Sequence, residues 1–315
     1  MLALTIAASL LLTSPQAVAQ AAPVADPSVV APVDLDEILV QGRSLRNTTQ
    51  TFVREVGAPA RTRGLARWRG GLCAGVANLQ NDTAQYIVDR VSDVARDVGL
   101  SAGAPGCTPN VLVIATQNAK AFTPMFVASR PRLFVVGGSG MDRGRSQLAS
   151  FENSDQPVRW WHVSAPIDPD SGQIAVRIPG ACDGDCGGPL SYAPKLNVTA
   201  SRLMNRTEDD LKRVFIIVDV DKIANVSVEQ LGDYIAMVAL AQINPDADTG
   251  GYSTILNVFE NPSDTPGLTL WDRTYLKGLY EAVITRANTG AARQEVVSSI
   301  IRTHNDLVED RPTAP

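Results

Sequence analysis

Residues 227–280 read SVEQLGDYIAMVALAQINPDADTGGYSTILNVFENPSDTPGLTLWDRTYLKGLY, and this stretch decides how the rest of the chain is read. Ser227 with Gln230 three residues later is a capping box, which satisfies the free N–H groups at a helix start. Val228, Leu231, Ile235, Val238 and Gln242 follow at spacings of 3 and 4, and most residues between Tyr234 and Leu240 are also apolar. That pattern predicts a helix over 227–243, buried on nearly all sides and therefore central to a domain. A loop leads to the short apolar run Thr254–Phe259. A second capped helix then begins at Thr269, with Asp272 at its third position.

This order resembles the active-site region of zinc metallopeptidases of the zincin class. Their pattern is a central helix H-E-x-x-H-x-L-G-L, a loop, a turn of type S-I-[ML], then L-T-x-x-D followed by L-x-x-L-Y. Leu240-Ala241 stands at the L-G, Ser253–Leu256 approximates the turn, and Leu268–Asp272 through Leu276, Leu279 and Tyr280 matches the closing helix. The metal ligands do not match. Tyr234 occupies the first His position, Ile235 the Glu, Val238 the second His and Asn244 the third ligand of the extended motif. Catalytic zinc needs three N, O or S ligands and usually a carboxylate base beside them. The chain has two histidines in all, His162 and His304. The resemblance therefore implies a zincin-like α+β fold, with a mixed sheet, a buried central helix and C-terminal helices, whose metal and catalytic residues are absent; no cofactor is expected. Such a fold keeps a cleft between the sheet edge and the central helix, where Tyr234, Asn244 and Tyr252 would lie. Without the resemblance, the same residues describe a core helix of some other α+β fold.

Composition bounds the rest. At 315 residues the chain can bury a sizeable core, and a formal charge of −5 argues against a nucleic-acid partner, which needs a basic face. Residues 1–19 read as a signal peptide: the apolar run Leu2–Leu12, then Pro15 and Ala17-Val18-Ala19, with cleavage expected between Ala19 and Gln20. The usual basic residue after Met1 is missing. No segment of the mature chain is apolar for long enough to span a bilayer. The expected location is periplasmic or secreted, and the four cysteines fit an oxidising compartment. Pairing sequence neighbours gives Cys73–Cys107 and Cys182–Cys186; a zinc site made of all four thiolates has the wrong spacing.

The expected organisation is a flexible linker over 20–50 containing a short strand-like segment, a domain over 51–285, and a C-terminal helix and tail over 286–315. Asp36–Arg43 resembles a segment near the mature N-terminus of TonB-dependent outer-membrane receptors; read that way it would add to the edge of a partner's sheet, and otherwise it is an edge strand of this protein. Arg61, Arg63, Arg67 and Arg69 read as a solvated lead-in. Asn81 or Asp82 caps an amphipathic helix through Val98. Strands are expected at Val111–Ala115, Arg132–Val136 and Val214–Val218, with a hairpin joining Val158–Ser164 to Gln173–Ile178. Gly137-Gly138-Ser139-Gly140 fails both the nucleophile-elbow and dinucleotide patterns by one residue.

Three functions follow as expectations. The first is an exported non-catalytic protein that binds a peptide or an envelope protein. The second is a hydrolase whose site converges in space from Asp219, Asp221, Asp233 or His162. The third is an outer-membrane docking or structural protein acting through residues 37–43.

Overall fold

The computed structural model describes residues 44–60, 63–134, 143–175, 207–283 and 288–309. Its spine is β4 (Glu208–Asp219), whose run Val214–Val218 is buried on both faces. Parallel to it lies β2 (Val111–Thr116), and beyond that, also parallel, β1 (Ala74–Ala77). The crossover from β1 to β2 carries α2 (Asn81–Asp97). On the other side of β4 runs β3 (Val158–Ile167), antiparallel, so the sheet is mixed with the order β1-β2-β4-β3. Lys212 is the extra residue of a bulge, because Val163 pairs with Arg213 while Ser164 pairs with Leu211.

Alternation along the strands builds two cores. Val111, Val113, Val158, Trp160, Val214, Ile216 and Val218 face a large core shared with α2, α6 (Val228–Leu240), α7 (Leu270–Glu281) and α8 (Thr289–Glu309). Ile114, Phe215, Ile217, Trp161, Val163 and Ala165 face a smaller one, closed by α3 (Ala119–Ser129), α4 (Pro131–Phe134) and α5 (Arg145–Asn153). A sheet covered on both faces requires continuous apolar strands, which is why Val214–Val218 shows no polar alternation. The α+β class, the mixed sheet and the buried helix are therefore as expected.

The two capping boxes are both formed. Ser227 and Gln230 exchange side-chain-to-backbone hydrogen bonds, and so do Thr269 and Asp272. Every residue from Gln230 to Leu240 is buried. The central helix ends at Leu240, earlier than 243, because Ala241 turns extended and Ile243 bridges Gly57. On the far side α7 and α8 touch almost backbone to backbone. A Cβ on Gly278 would sit 2.5 Å from the Cα of Ile300.

Several expectations need correction. Helix α1 (Leu45–Glu55) starts inside the stretch assigned to linker, with Thr49, Phe52 and Val53 buried. The cap of α2 is Gln80, not Asn81 or Asp82, and the helix ends at Asp97, with Val98 as its C-cap and Gly99 beyond it at φ +82°. The segment Pro131–Phe134 is helical and not a strand: proline suits a first helical turn, and Phe134 packs into the smaller core. The run Thr254–Phe259 makes a 3₁₀ turn at Ile255–Asn257. The arginine lead-in is pinned to the fold. Arg63 pairs with Asp209 and Arg69 with Glu208, while Nη1 of Arg67 donates to the carbonyls of Leu279, Tyr280 and Ala282 at the end of α7. Between them Trp68 is buried, its indole N–H on Ala239 O at 2.9 Å. The terminal helix α8 contributes Val296, Val297 and Ile300 to the large core.

Cys73 and Cys107 form the expected disulfide, which clamps the start of β1 to the loop before β2. Closing a loop of 34 residues stabilises by about 4 kcal/mol in the chain-entropy account. Cys182, Cys186, Ala19, Gln20, residues 37–43 and Gly137–Gly140 lie outside the described residues. Among the described residues no helix is long and apolar enough to cross a membrane.

Candidate binding site

Among the described residues β3 is an edge strand, and it offers the site. Asp219 N–H donates to Pro157 O, and Val214 N–H donates away from β3 to Asn110 O. This parity turns the backbone groups of Arg159, Trp161 and Val163 toward β4 and those of Val158, Trp160 and His162 outward. Around the turn 168–172 the chain returns only briefly within the described residues: Ile174 bridges Ile167, and Ala175 N–H donates to Pro166 O at 2.7 Å. That is the start of the expected hairpin, and residues 176–178 lie outside the description. Among the described residues no strand pairs with the outer edge from Val158 to Ser164.

A groove follows this edge. One wall is α5, with Gln147 and Ser150; the other is the turn after α6, with Ile243, Pro245 and Asp246; β3 forms the floor from Val158 to His162. Arg143 spans the walls, its Nη2 donating to Asn244 Oδ1 at 3.0 Å. The free volume is about 40 Å³, room for roughly three waters.

Beneath the groove the space between β3 and α6 is filled. Trp160 donates its indole N–H to Ile243 O at 2.9 Å and meets the Tyr234 ring edge-on, with centroids 6.0 Å apart. Tyr234 packs in turn on Phe259, and burial raises its phenol above the usual value. His162 is buried, and its Nε2 lies 2.7 Å from Val238 O. A carbonyl only accepts, so Nε2 carries the proton. Burial lowers this imidazole to about 4, opposed by that hydrogen bond. The ring is neutral and committed to holding the helix.

Of the residues expected at a cleft, Tyr234 packs against Trp160 and Asn244 accepts from Arg143, but neither lines the groove, and Tyr252 lies apart from both. It belongs to an aromatic cluster with Phe52, at 4.9 Å, and Trp271. The candidates for a convergent hydrolase site have separate partners. Asp233 pairs with Arg90 and accepts from Leu268 N–H; Asp219 Oδ2 accepts from Ala119 N–H; Asp221 is exposed. Among the described residues no three His, Cys, Asp or Glu side chains gather closely enough to hold a metal ion.

Asp272 is the other buried ionisable group of the motif region. Its carboxylate accepts from Thr254 Oγ1–H at 2.5 Å, Ile255 N–H at 2.8 Å, and both the N–H and the hydroxyl of Thr269. Desolvation outweighs these bonds and pushes it up to about 6.

Sequence reasoning passed over Arg159. It alternates out of phase with Trp160 and buries its guanidinium toward the smaller core, 2 % exposed. Nη1 donates to Glu152 O at 3.2 Å, at the end of α5, whereas Nε and Nη2 have no partner among the described residues. Burial lowers this guanidinium, opposed by the charges of Asp219 and Asp155. An arginine inside an otherwise apolar alternating strand was the available signal. No protein-family model matches the chain, and neither a curated protein nor a solved structure is significantly similar to it.

Proposed function

We propose that the chain is an exported, non-catalytic protein on a zincin-like scaffold, and that it binds an extended peptide, or an extended segment of an envelope protein, by strand addition to the outer edge of β3. The carrying observation is the groove that runs along the outward-facing backbone of Val158, Trp160 and His162. Element order supports the scaffold: an antiparallel edge strand, the central strand β4, the buried helix α6, then the capped α7. The positions aligned with metal ligands support the loss of catalysis. Tyr234 and Val238 are buried and packed, and Ile235 stands fully buried where a base would be. Export rests on residues 1–19 and is consistent with the disulfide.

Peptides selected from a displayed random library should slow amide hydrogen exchange at Trp160 and His162, the two outward-facing amides at the centre of the groove. Selected peptides that bind yet leave both amides unprotected would place recognition elsewhere. Turnover of a peptide pool that appears on adding zinc and disappears with a chelator would replace this reading with a peptidase.

A further inference from the structure

The groove along β3 is lined by two arginines and one carboxylate, Arg143, Arg159 and Asp246. Arg159 is the unusual one. Its guanidinium is buried; among the described residues no carboxylate lies within ion-pair distance, the charges of Asp219 and Asp155 act on it from farther away, and its Nε and Nη2 have no hydrogen-bond partner. Those two donors lie on one side of the planar group and match the two oxygens of a carboxylate side-on. Gln147 Oε1, on the α5 wall that Arg159 also bonds, is likewise buried without a partner among the described residues. It can accept a hydrogen bond from a peptide N–H. Leaving three buried polar atoms, two of them on a charged group, without hydrogen bonds is costly, so a missing polar ligand is the economical account.

The shape narrows the ligand. Arg143 reaches across to Asn244 and ties the two walls together, so a peptide running through the groove meets a barrier while a chain end does not. The free space, room for roughly three waters, suits one small planar group with the water it displaces.

We propose that the Arg159 end of the groove is a carboxylate pocket that takes the C-terminal carboxylate of the bound peptide, with Arg143 adding a second, half-buried positive charge. The peptide as the source of that carboxylate rests on the strand-addition reading; the carboxylate chemistry rests on Arg159 itself.

The test is nuclear magnetic resonance of the mature protein, following the Arg159 side-chain Nε–H signal and the Trp160 and His162 amides. The probes are acetate, the N-acetylated tripeptide Ala-Val-Ala as free acid, and the same tripeptide as C-terminal amide. The free acid should move the Arg159 signal saturably, and the amide should bind more weakly by roughly tenfold or more, the worth of a charge-assisted hydrogen bond. Arg159→Gln should abolish that preference, and Arg143→Gln, at a half-buried position, should weaken it if the first variant fails to fold. Acid and amide moving the Trp160 and His162 amides alike, with Arg159 still, would overturn the carboxylate pocket and leave strand addition standing. Acetate moving Arg159 while neither peptide touches the β3 amides would keep the pocket and overturn strand addition. No movement with any probe would overturn both.

Discussion

Replacing His162 by glutamine should make stability fall as pH rises from about 4 to 6, and replacing Asp272 by asparagine should make it rise over the same range. The two groups are shifted in opposite senses by the same cause, loss of water. His162 in the folded protein sits near 4, below its ordinary 6.5, so between those values the unfolded chain binds a proton that the folded chain refuses. Its contribution is complete above 6.5 and is lost as pH falls toward 4. Asp272 sits near 6, above its ordinary 3.8, so the folded chain holds a proton that the unfolded chain releases. Its contribution is complete below 3.8 and is lost as pH rises through 6. Each shift corresponds to something on the order of 3 kcal/mol. In the wild-type protein the two slopes oppose each other over nearly the same window. Urea unfolding at stepped pH measures this, and the difference between variant and wild-type profiles isolates each group from the other carboxylates. A flat difference profile for His162→Gln would show that the imidazole is not held neutral by the fold.

Gly278→Val is expected to unseat α8. The added Cβ alone would meet Ile300 Cα at 2.5 Å and Ile300 N at 2.8 Å, and backbone cannot rotate aside as a side chain can. Relief requires α7 and α8 to separate, which uncovers Val296, Val297 and Ile300. The loss should be on the order of 3 kcal/mol or more. It should appear as a lowered thermal midpoint together with early proteolytic cleavage within Thr289–Glu309. A midpoint equal to wild type would mean that the two helices do not approach as closely as Gly278 permits.

What the sequence made legible was local. Ser227 with Gln230 and Thr269 with Asp272 announced two helix starts because a capping box is written within four residues. Val214–Val218 announced a strand covered on both faces because five consecutive apolar residues have no solvent side. The misses were decided by partners far away in the chain. The arginines at 63, 67 and 69 read as solvated because their acceptors, Asp209, the end of α7 and Glu208, come well over a hundred residues later. Leu133 and Phe134 look strand-like in isolation, but Pro131 and the demands of the smaller core made the segment helical. The groove was hidden for the same reason. Arg143 and Asn244 are 101 positions apart, and nothing in the local pattern of β3 says that it is an edge. Tyr234 and Asn244 were singled out because a motif alignment pointed at them, whereas the buried Arg159 belongs to no motif.

The lead-in that Arg67 fastens to the end of α7 also sets the order of events when the protein is made. Its guanidinium waits for carbonyls 212 to 215 positions downstream, and Ala66 N–H waits for the side chain of Gln242. Contacts between such distant residues close late, because the loop entropy is spent before any reward arrives. A nascent chain that has emerged as far as β4 therefore holds the strands of its sheet and the partners of Arg63 and Arg69, but neither its central helix nor the acceptors of Ala66, Arg67 and Trp68. The lead-in therefore cannot be fastened completely until residues 279–282 have been made.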